Sequence, residues 1–299
     1  MKTKKTVGEC VLDFFIYLIA TVAVIITLYP LIYVFSASIS SAEYLVRNEV
    51  LFLPKGFSLT SYRIILNDSS VWRSYYNTLW YTVVGTVTSV FVTMLAAYPL
   101  SRKNFFARDF FMFLFVVTMF FSGGLIPSYL LIVNLGLYNS RWALIIPMLI
   151  STWNLVVART YIQTNIPDEL IESVHMDRGG EFTVLFRFVY PLSKPIIATI
   201  SLFVAVSHWN SFFPALLYLS DLNLHPLQLL LRRLLLLSST QMMRDAGMAA
   251  MQIGATEMTK YFQQIRYAAI VVSLLPILAA YPFAQKYFIK GVMVGSLKG

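Results

Sequence analysis

The sequence predicts an all-α membrane protein of about six transmembrane helices, with a polar helix–turn–helix set in one of its connections. Two observations carry that reading. The 299-residue chain is 58% hydrophobic and 12% charged, with a mean hydropathy of +0.69. A soluble domain carries about 25% charge, so this chain has too few polar groups to cover a water-facing surface. The apolar residues also come in blocks: Phe14–Ser40, Ser74–Ser101, Phe110–Ser140, Trp142–Ala158, Pro195–Ser220 and Tyr267–Gln285 contain no Asp, Glu, Lys or Arg. Crossing a hydrocarbon core of about 30 Å takes roughly 20 apolar residues as a helix, and a helix satisfies its own backbone in lipid. A membrane barrel would instead alternate in polarity over segments of roughly ten residues, and no such alternation occurs.

In order, the blocks predict helices near 12–38, 75–100, 109–132, 141–163, 195–219 and 267–289. The first follows Lys2, Lys4 and Lys5 and so imitates a signal peptide. Its apolar run is about twice a 7–15-residue signal core, which makes it a retained helix; cleavage after Ser36-Ala37-Ser38 is the alternative. Residues 39–73 form a polar loop punctuated at Leu53-Pro54-Lys55-Gly56. Around Phe121–Tyr138 the apolar run is broken by Gly123-Gly124, Pro127 and Gly136, which suggests an irregular, partly re-entrant stretch packed against protein. Residues 221–266 carry Pro226, Arg232 and Arg233 and are expected to hold short helices. Six spans put both termini on one side. The distribution of Lys and Arg slightly favours the cytoplasm for that side.

The excess of Lys+Arg (23) over Asp+Glu (14) lies in the loops, so topology signals and lipid headgroups explain it better than nucleic acid does. The only cysteine, Cys10, excludes an intrachain disulfide and a paired-cysteine metal or redox site. There is no GxxxxGK[ST] phosphate loop, GxSxG elbow or HExxH pair, and His175, His208 and His225 have no ligand-like spacing. No metal site, bound cofactor or catalytic residue is expected in the chain.

The segment Pro167–Pro195 is the richest in charge. Pro167 suits a helix start, and Asp168 and Glu169 favour the positive end of the helix dipole. Gly179-Gly180 should end that helix, because glycine accepts the left-handed conformation of a C-terminus. A second helix then carries Phe182, Leu185, Phe186 and Val189 at helical spacing, and Pro191 and Pro195 close it. Such an amphipathic unit docks on something, either the protein's own helix ends or a partner.

The spacing Glu172…Asp177…Pro191-Leu192-Ser193…Pro195 resembles the "EAA" loop of ATP-binding-cassette (ABC) importer permeases. Trp209-Asn210 through Leu219, and the tail Lys286–Gly299, are similar to the carbohydrate-uptake branch, particularly the second, maltose-type permease of systems for complex oligosaccharides such as aldouronates or alginate. The resemblance covers essentially the whole chain. It implies a type I importer fold and a single permease domain over 1–299, forming a heterodimer with a second permease. Two ATP-binding subunits would hold the ATP and Mg, and a sugar-binding protein would deliver carbohydrate from outside. It places the protein in a prokaryotic cell membrane with both termini cytoplasmic.

The residues implied to couple to the ATPase are Glu172, Ser173, Val174, His175, Met176, Asp177, Arg178, Gly179 and Gly180. The tail Gly295, Ser296, Leu297, Lys298 and Gly299 would also reach that interface. The sequence departs from the family pattern where Asp177-Arg178-Gly179 stands for Asp-Gly-Ala and where Ser173 and Val174 replace two alanines.

His208 is the one Asp, Glu, Lys, Arg or His side chain deep inside a predicted span, next to Trp209 and Asn210. An ionisable group there costs free energy in lipid and marks a candidate pathway; a helix–helix hydrogen bond is the alternative. Aromatic rings with hydrogen-bonding neighbours suit the C–H faces and hydroxyls of sugars. An ion-driven secondary transporter, the rival function, would place charges at the midplane, and these spans lack them. An ABC permease for a non-sugar solute is the other alternative.

Overall fold

A computed structural model describes residues 7–237, 264–279 and 282. Its helices are α1 (Val7–Ser38), α2 (Ala42–Val46), α3 (Thr60–Asn67), α4 (Ser69–Ser101), α5 (Arg108–Phe120), α6 (Leu125–Asn134), α7 (Thr152–Asn165), α8 (Asp168–Met176), α9 (Glu181–Leu192), α10 (Lys194–Trp209), α11 (Phe213–Tyr218), α12 (Leu227–Leu237) and α13 (Gln264–Ala279). Among the described residues there is no β-strand, only an isolated bridge between Ser40 and Phe57.

Among the described residues, only α1 and α4 are continuous helices long and apolar enough to cross a membrane by themselves. Elsewhere the predicted spans are bent pairs. The helices α5 and α6 meet at 118°, the short 3₁₀ turns of Arg141–Met148 meet α7 at 49°, and α9 meets α10 at 79°. The first two bends, and the break after α10, have local causes. Gly124 sits at φ +87°, a conformation that breaks the expected 109–132 helix where the Gly-Gly pair predicted an irregular stretch. Pro147 lacks the N–H that a continuous 141–163 helix would need, so that span starts as 3₁₀ turns and becomes α-helical only at Thr152. The expected 195–219 helix stops at Trp209, and Pro214 starts α11 after a three-residue break. Most of the predicted continuation of the last span to residue 289 lies outside the described residues.

The described residues fall into two compact units, one of 7–69 with 231–237 and 264–275, the other of 70–230 with 276–279 and 282. In the first, an 18-residue apolar window of α1 is uncovered among the described residues, a surface suited to lipid. Its far end is held by serines. Ser36 Oγ donates to Phe52 O (2.6 Å), Tyr62 OH donates to Ser38 Oγ (2.8 Å), and Gln264 Nε2 donates to Ser40 O (2.9 Å). The predicted 39–73 loop is therefore ordered around the short helices α2 and α3, with Gly56 at φ +60° supplying its turn.

In the second unit α4 is the axis. Met94, Ala97 and Leu100 on α4 pack with Leu155, Ala158 and Ile162 of α7 and with Val184, Leu185 and Val189 of α9. Arg159 Nε donates to Leu100 O (2.8 Å) and Gln163 Nε2 to Ser101 O (3.3 Å), so α7 satisfies carbonyls that the C-terminus of α4 leaves open.

Candidate functional site

The charged connection folds as two helices joined by a tight turn. Pro167 is the N-cap of α8 in extended conformation, one position earlier than the first helical residue the sequence suggested. Asp168 does more than complement the helix dipole. It accepts from Arg102 Nη1 (3.0 Å) and Lys103 Nζ (3.2 Å), both just beyond the end of α4. Ile171 and Val174, three residues apart, are buried against the core. The opposite face is open to solvent: Glu169, Glu172, Ser173, His175, Met176, Asp177 and Arg178 are exposed, Met176 at 85%. Glu172 makes no hydrogen bond or ion pair among the described residues.

The turn corrects the glycine expectation. Arg178 N–H bonds His175 O (2.9 Å) and Gly179 N–H bonds Val174 O (2.8 Å), the paired bonds of a Schellman C-cap. In that motif the residue after the cap takes the left-handed conformation, and here it is Arg178, at φ +59°, not a glycine. The conformation costs a non-glycine residue about 1–2 kcal/mol. Gly179 is needed for a different reason: a Cβ there would lie 2.5 Å from Val174 Cγ1 and 2.8 Å from Val174 O. Gly180 is extended and caps the start of α9.

Within α9 residues Val184–Val189 form a π-helical turn. That lengthened period brings Val184 and Val189 onto one buried side with Leu185. It also divides the apolar stripe expected from the sequence. Leu185 and Val189 enter the core, whereas Phe182 and Phe186 stay exposed and stack in a row with Tyr190. The turn is tied back at both edges. His175 Nδ1 donates to Gly179 O (3.0 Å), and its Nε2 lies 3.5 Å from Glu181 Oε1, an ion pair only when the imidazole is protonated. The other oxygen of Glu181 accepts from the buried Tyr98 hydroxyl of α4. The loop is thus fastened at α4 and its end through Asp168, through Glu181 and through the Tyr190 hydroxyl, which donates to Phe91 O (3.2 Å).

The second candidate region lies between α7 and α10. A cavity of about 500 Å3 is lined by Met148, Ile150, Ser151, Trp153, Asn154, Phe203, Val204, Ser207 and His208. His208 is 2% exposed, and neither ring nitrogen has a hydrogen-bond partner among the described residues. Its ring tip lies against Gly85 of α4, where a Cβ would come within 2.5 Å of Nε2. The structure separates the other two residues of the predicted trio from this cavity. Trp209 is buried edge-on against Tyr75, with ring centroids 6.3 Å apart. Asn210 is the exposed C-cap of α10, its amide donating to Val206 O (2.9 Å). Sequence reading missed Trp153 and Asn154. The signal was present: Trp153-Asn154 repeats the dipeptide Trp209-Asn210, and only the fold shows which copy faces the cavity. The tail Gly295–Gly299 lies outside the described residues.

No family model matches the chain. Individual relatives do. It is 41% identical over 287 residues, 96% of this chain and 98% of the relative, to the polygalacturonan/rhamnogalacturonan transport system permease protein YtcP of Bacillus subtilis. Protein LplC of the same organism is 40% identical, over 92% of this chain and 90% of the relative. Among solved structures, a chain of a bacterial ABC transporter involved in the import of the acidic polysaccharide alginate superposes with a TM-score of 0.86 at 31% identity, over 96% of this chain and 100% of that one. With its apolar helices and its match along nearly the full length of these transport proteins, the chain is a multi-pass membrane protein and belongs to the permease family of ABC carbohydrate transporters.

Proposed function

We propose that this permease imports fragments of acidic polysaccharides, and that the α8 turn receives the ATP-driven stroke. It would form a heterodimer with a second permease, receive substrate from an extracytoplasmic sugar-binding protein, and dock on two separate ATP-binding subunits that hold the ATP and Mg. The chain itself carries no catalytic chemistry and acts as one permease domain. The α8–α9 loop and both termini lie in the cytoplasm in this reading.

The observation that carries the coupling role is the two-sided character of α8. Ile171 and Val174 fix one face in the core, and Asp168 is clamped by Arg102 and Lys103. The other face presents Glu172, Ser173, His175 and Met176 to solvent. A helix rigidly joined to the membrane bundle, with an unpartnered carboxylate and an exposed thioether, is suited to a protein groove. Acidic polysaccharide as substrate is supported by the names of the relatives: a polygalacturonan is a polymer of uronic acid, and alginate is acidic.

The test is uptake into proteoliposomes holding the permease pair, the ATPases and the loaded binding protein. Replacing Glu172 with Ala should lower ATP-dependent uptake by about tenfold or more, because a charged hydrogen bond at the docking groove is lost. Membrane insertion and permease pairing should be unchanged. Uptake that persists without the ATPase subunits would overturn the reading.

A further inference from the structure

The cavity between α7 and α10 is furnished with polar groups that the fold leaves unused. Ser151 stands at the N-cap of α7, yet its side chain makes no capping hydrogen bond. Ser207, in the middle of a helical turn of α10, makes no bond to the preceding carbonyls, and Asn154 and Trp153 are likewise without a hydrogen-bonding partner among the described residues. His208 closes the inner end with both nitrogens unpaired at 2% exposure. Buried polar groups are normally paired, and unpaired ones need a reason. Ser151, Trp153 and Ser207 are exposed, but Asn154 and His208 are buried and unpaired on one space of about 500 Å3, which a polar ligand would satisfy.

The wall chemistry narrows the ligand. Trp153 is 60% exposed and Phe203 44%, so the outer part of the cavity is flanked by aromatic side chains. Asn154 and His208, both almost fully buried, form its deep part. Among the described residues no carboxylate, lysine or arginine lines it, so what it offers a ligand is neutral hydrogen-bonding groups beside aromatic faces. An aromatic face beside an amide, hydroxyls and an imidazole suits a pyranose ring, whose C–H face packs on an indole while its hydroxyls or carboxylate take the polar groups. A purely lipid-facing groove would have no use for Asn154 and His208, which are costly there when unpaired.

Building on the carbohydrate reading above, we infer that this cavity is the permease's own contact with the passing chain and holds one sugar unit. Trp153 stacks on the ring face, and Asn154 and His208 donate to its oxygens. Gly85 belongs to the same device, because the absence of its Cβ lets the imidazole seat against α4.

The experiment measures uptake of labelled trigalacturonate by the complete transporter in proteoliposomes, together with ATPase stimulation by the loaded binding protein. Trp153 is half in solvent, so replacing it should not threaten folding. Trp153→Ala should raise the concentration for half-maximal uptake, or lower the rate, by about tenfold. ATPase stimulation should stay at the wild-type level, and Trp153→Phe should restore most of the uptake. Asn154→Leu, which keeps the volume and removes the amide, should reproduce the Ala defect. Wild-type uptake by Trp153→Ala, or a defect that Phe does not relieve, would overturn the sugar contact and leave the cavity to lipid or to the second permease. A wild-type transporter that imports no oligosaccharide would instead refute the carbohydrate reading, and the subsite with it.

Discussion

The two ends of α4 are held by different chemistry. At the end nearer its N-terminus, neutral side chains reach backbone. Asn77 Nδ2 donates to Asn223 O (2.7 Å) and His225 O (3.2 Å), Tyr81 OH donates to Leu224 O (2.9 Å), and Thr78 Oγ1 accepts from Leu227 N (2.8 Å). Asn77, Thr78 and Tyr81 are all buried. Arg141 completes the set, donating to Asn77 Oδ1 (3.2 Å) and lying over the Trp80 ring at 5.0 Å. At the other end Arg159, Gln163 and Tyr190 also reach backbone carbonyls of α4, but the remaining ties to the α8–α9 loop run between side chains, and most are charged and partly in solvent: Asp168 with Arg102 and Lys103, and Glu181 with Tyr98 and His175.

Breaking a buried bond to a backbone carbonyl leaves that carbonyl unpaired, at about 1–3 kcal/mol, whereas an exposed ion pair contributes roughly 0–1 kcal/mol. The first end is therefore built to stay still. The second holds the α8–α9 loop in register with α4 partly through ties that cost little to rearrange. In the coupling role proposed above, that is the division expected of a helix that passes a displacement from one end while remaining anchored at the other.

The contrast can be broken at either end. The largest effect is expected from Asn77→Ala, which strips donors from Asn223 O and His225 O and an acceptor from Arg141. It should destabilise the detergent-solubilised permease by about 3 kcal/mol, read as a lowered thermal unfolding midpoint. A smaller effect on stability, about 1 kcal/mol or less after allowing for the solvent around Glu181, is expected from Tyr98→Phe. Its signature should be functional: less substrate moved per ATP hydrolysed, at a nearly unchanged midpoint. Equal destabilisation by the two substitutions would erase the distinction between a fixed end and a loaded one.

The smallest change sharpens the picture of the loop itself. Arg178→Gly relieves the left-handed strain but gives the unfolded chain more freedom, so a net gain of about 0.5–1 kcal/mol is expected. The midpoint should rise slightly and uptake should be kept. A loss of uptake with a raised midpoint would show that the Arg178 side chain, and not the backbone turn, is what a partner reads.

Much of this was legible in the residues. Uncharged blocks located the helices, because burying charge in lipid is costly whatever the neighbours are. The Gly123-Gly124 pair announced the break between α5 and α6. Pro147 and Pro214 lay in plain view but were absorbed into apolar runs, because hydropathy measures the length of a span and is blind to its bends. The loop's two helices were also legible from Pro167, the acidic first turn and the glycines. Which residue turns left-handed was not. The choice of Arg178 depends on the close approach of Gly179 to Val174, a contact between a glycine and the turn before it. The apolar stripe of α9 was read with the ordinary helical period, and the π turn at Val184–Val189 shifted it.

The sequence by itself determined that the chain lives in a membrane, that it is helical, and that its most polar connection is an amphipathic pair with one face to offer. Those follow from composition and from local backbone preferences, which each residue carries wherever it sits. Only the tertiary structure decided which of two identical Trp-Asn pairs faces a cavity. It also decided that His208 lies against Gly85 and that Tyr98 and Asp168 fasten the loop to α4. Those facts depend on residues dozens of positions apart meeting in space, and no local pattern encodes where a helix will be crossed.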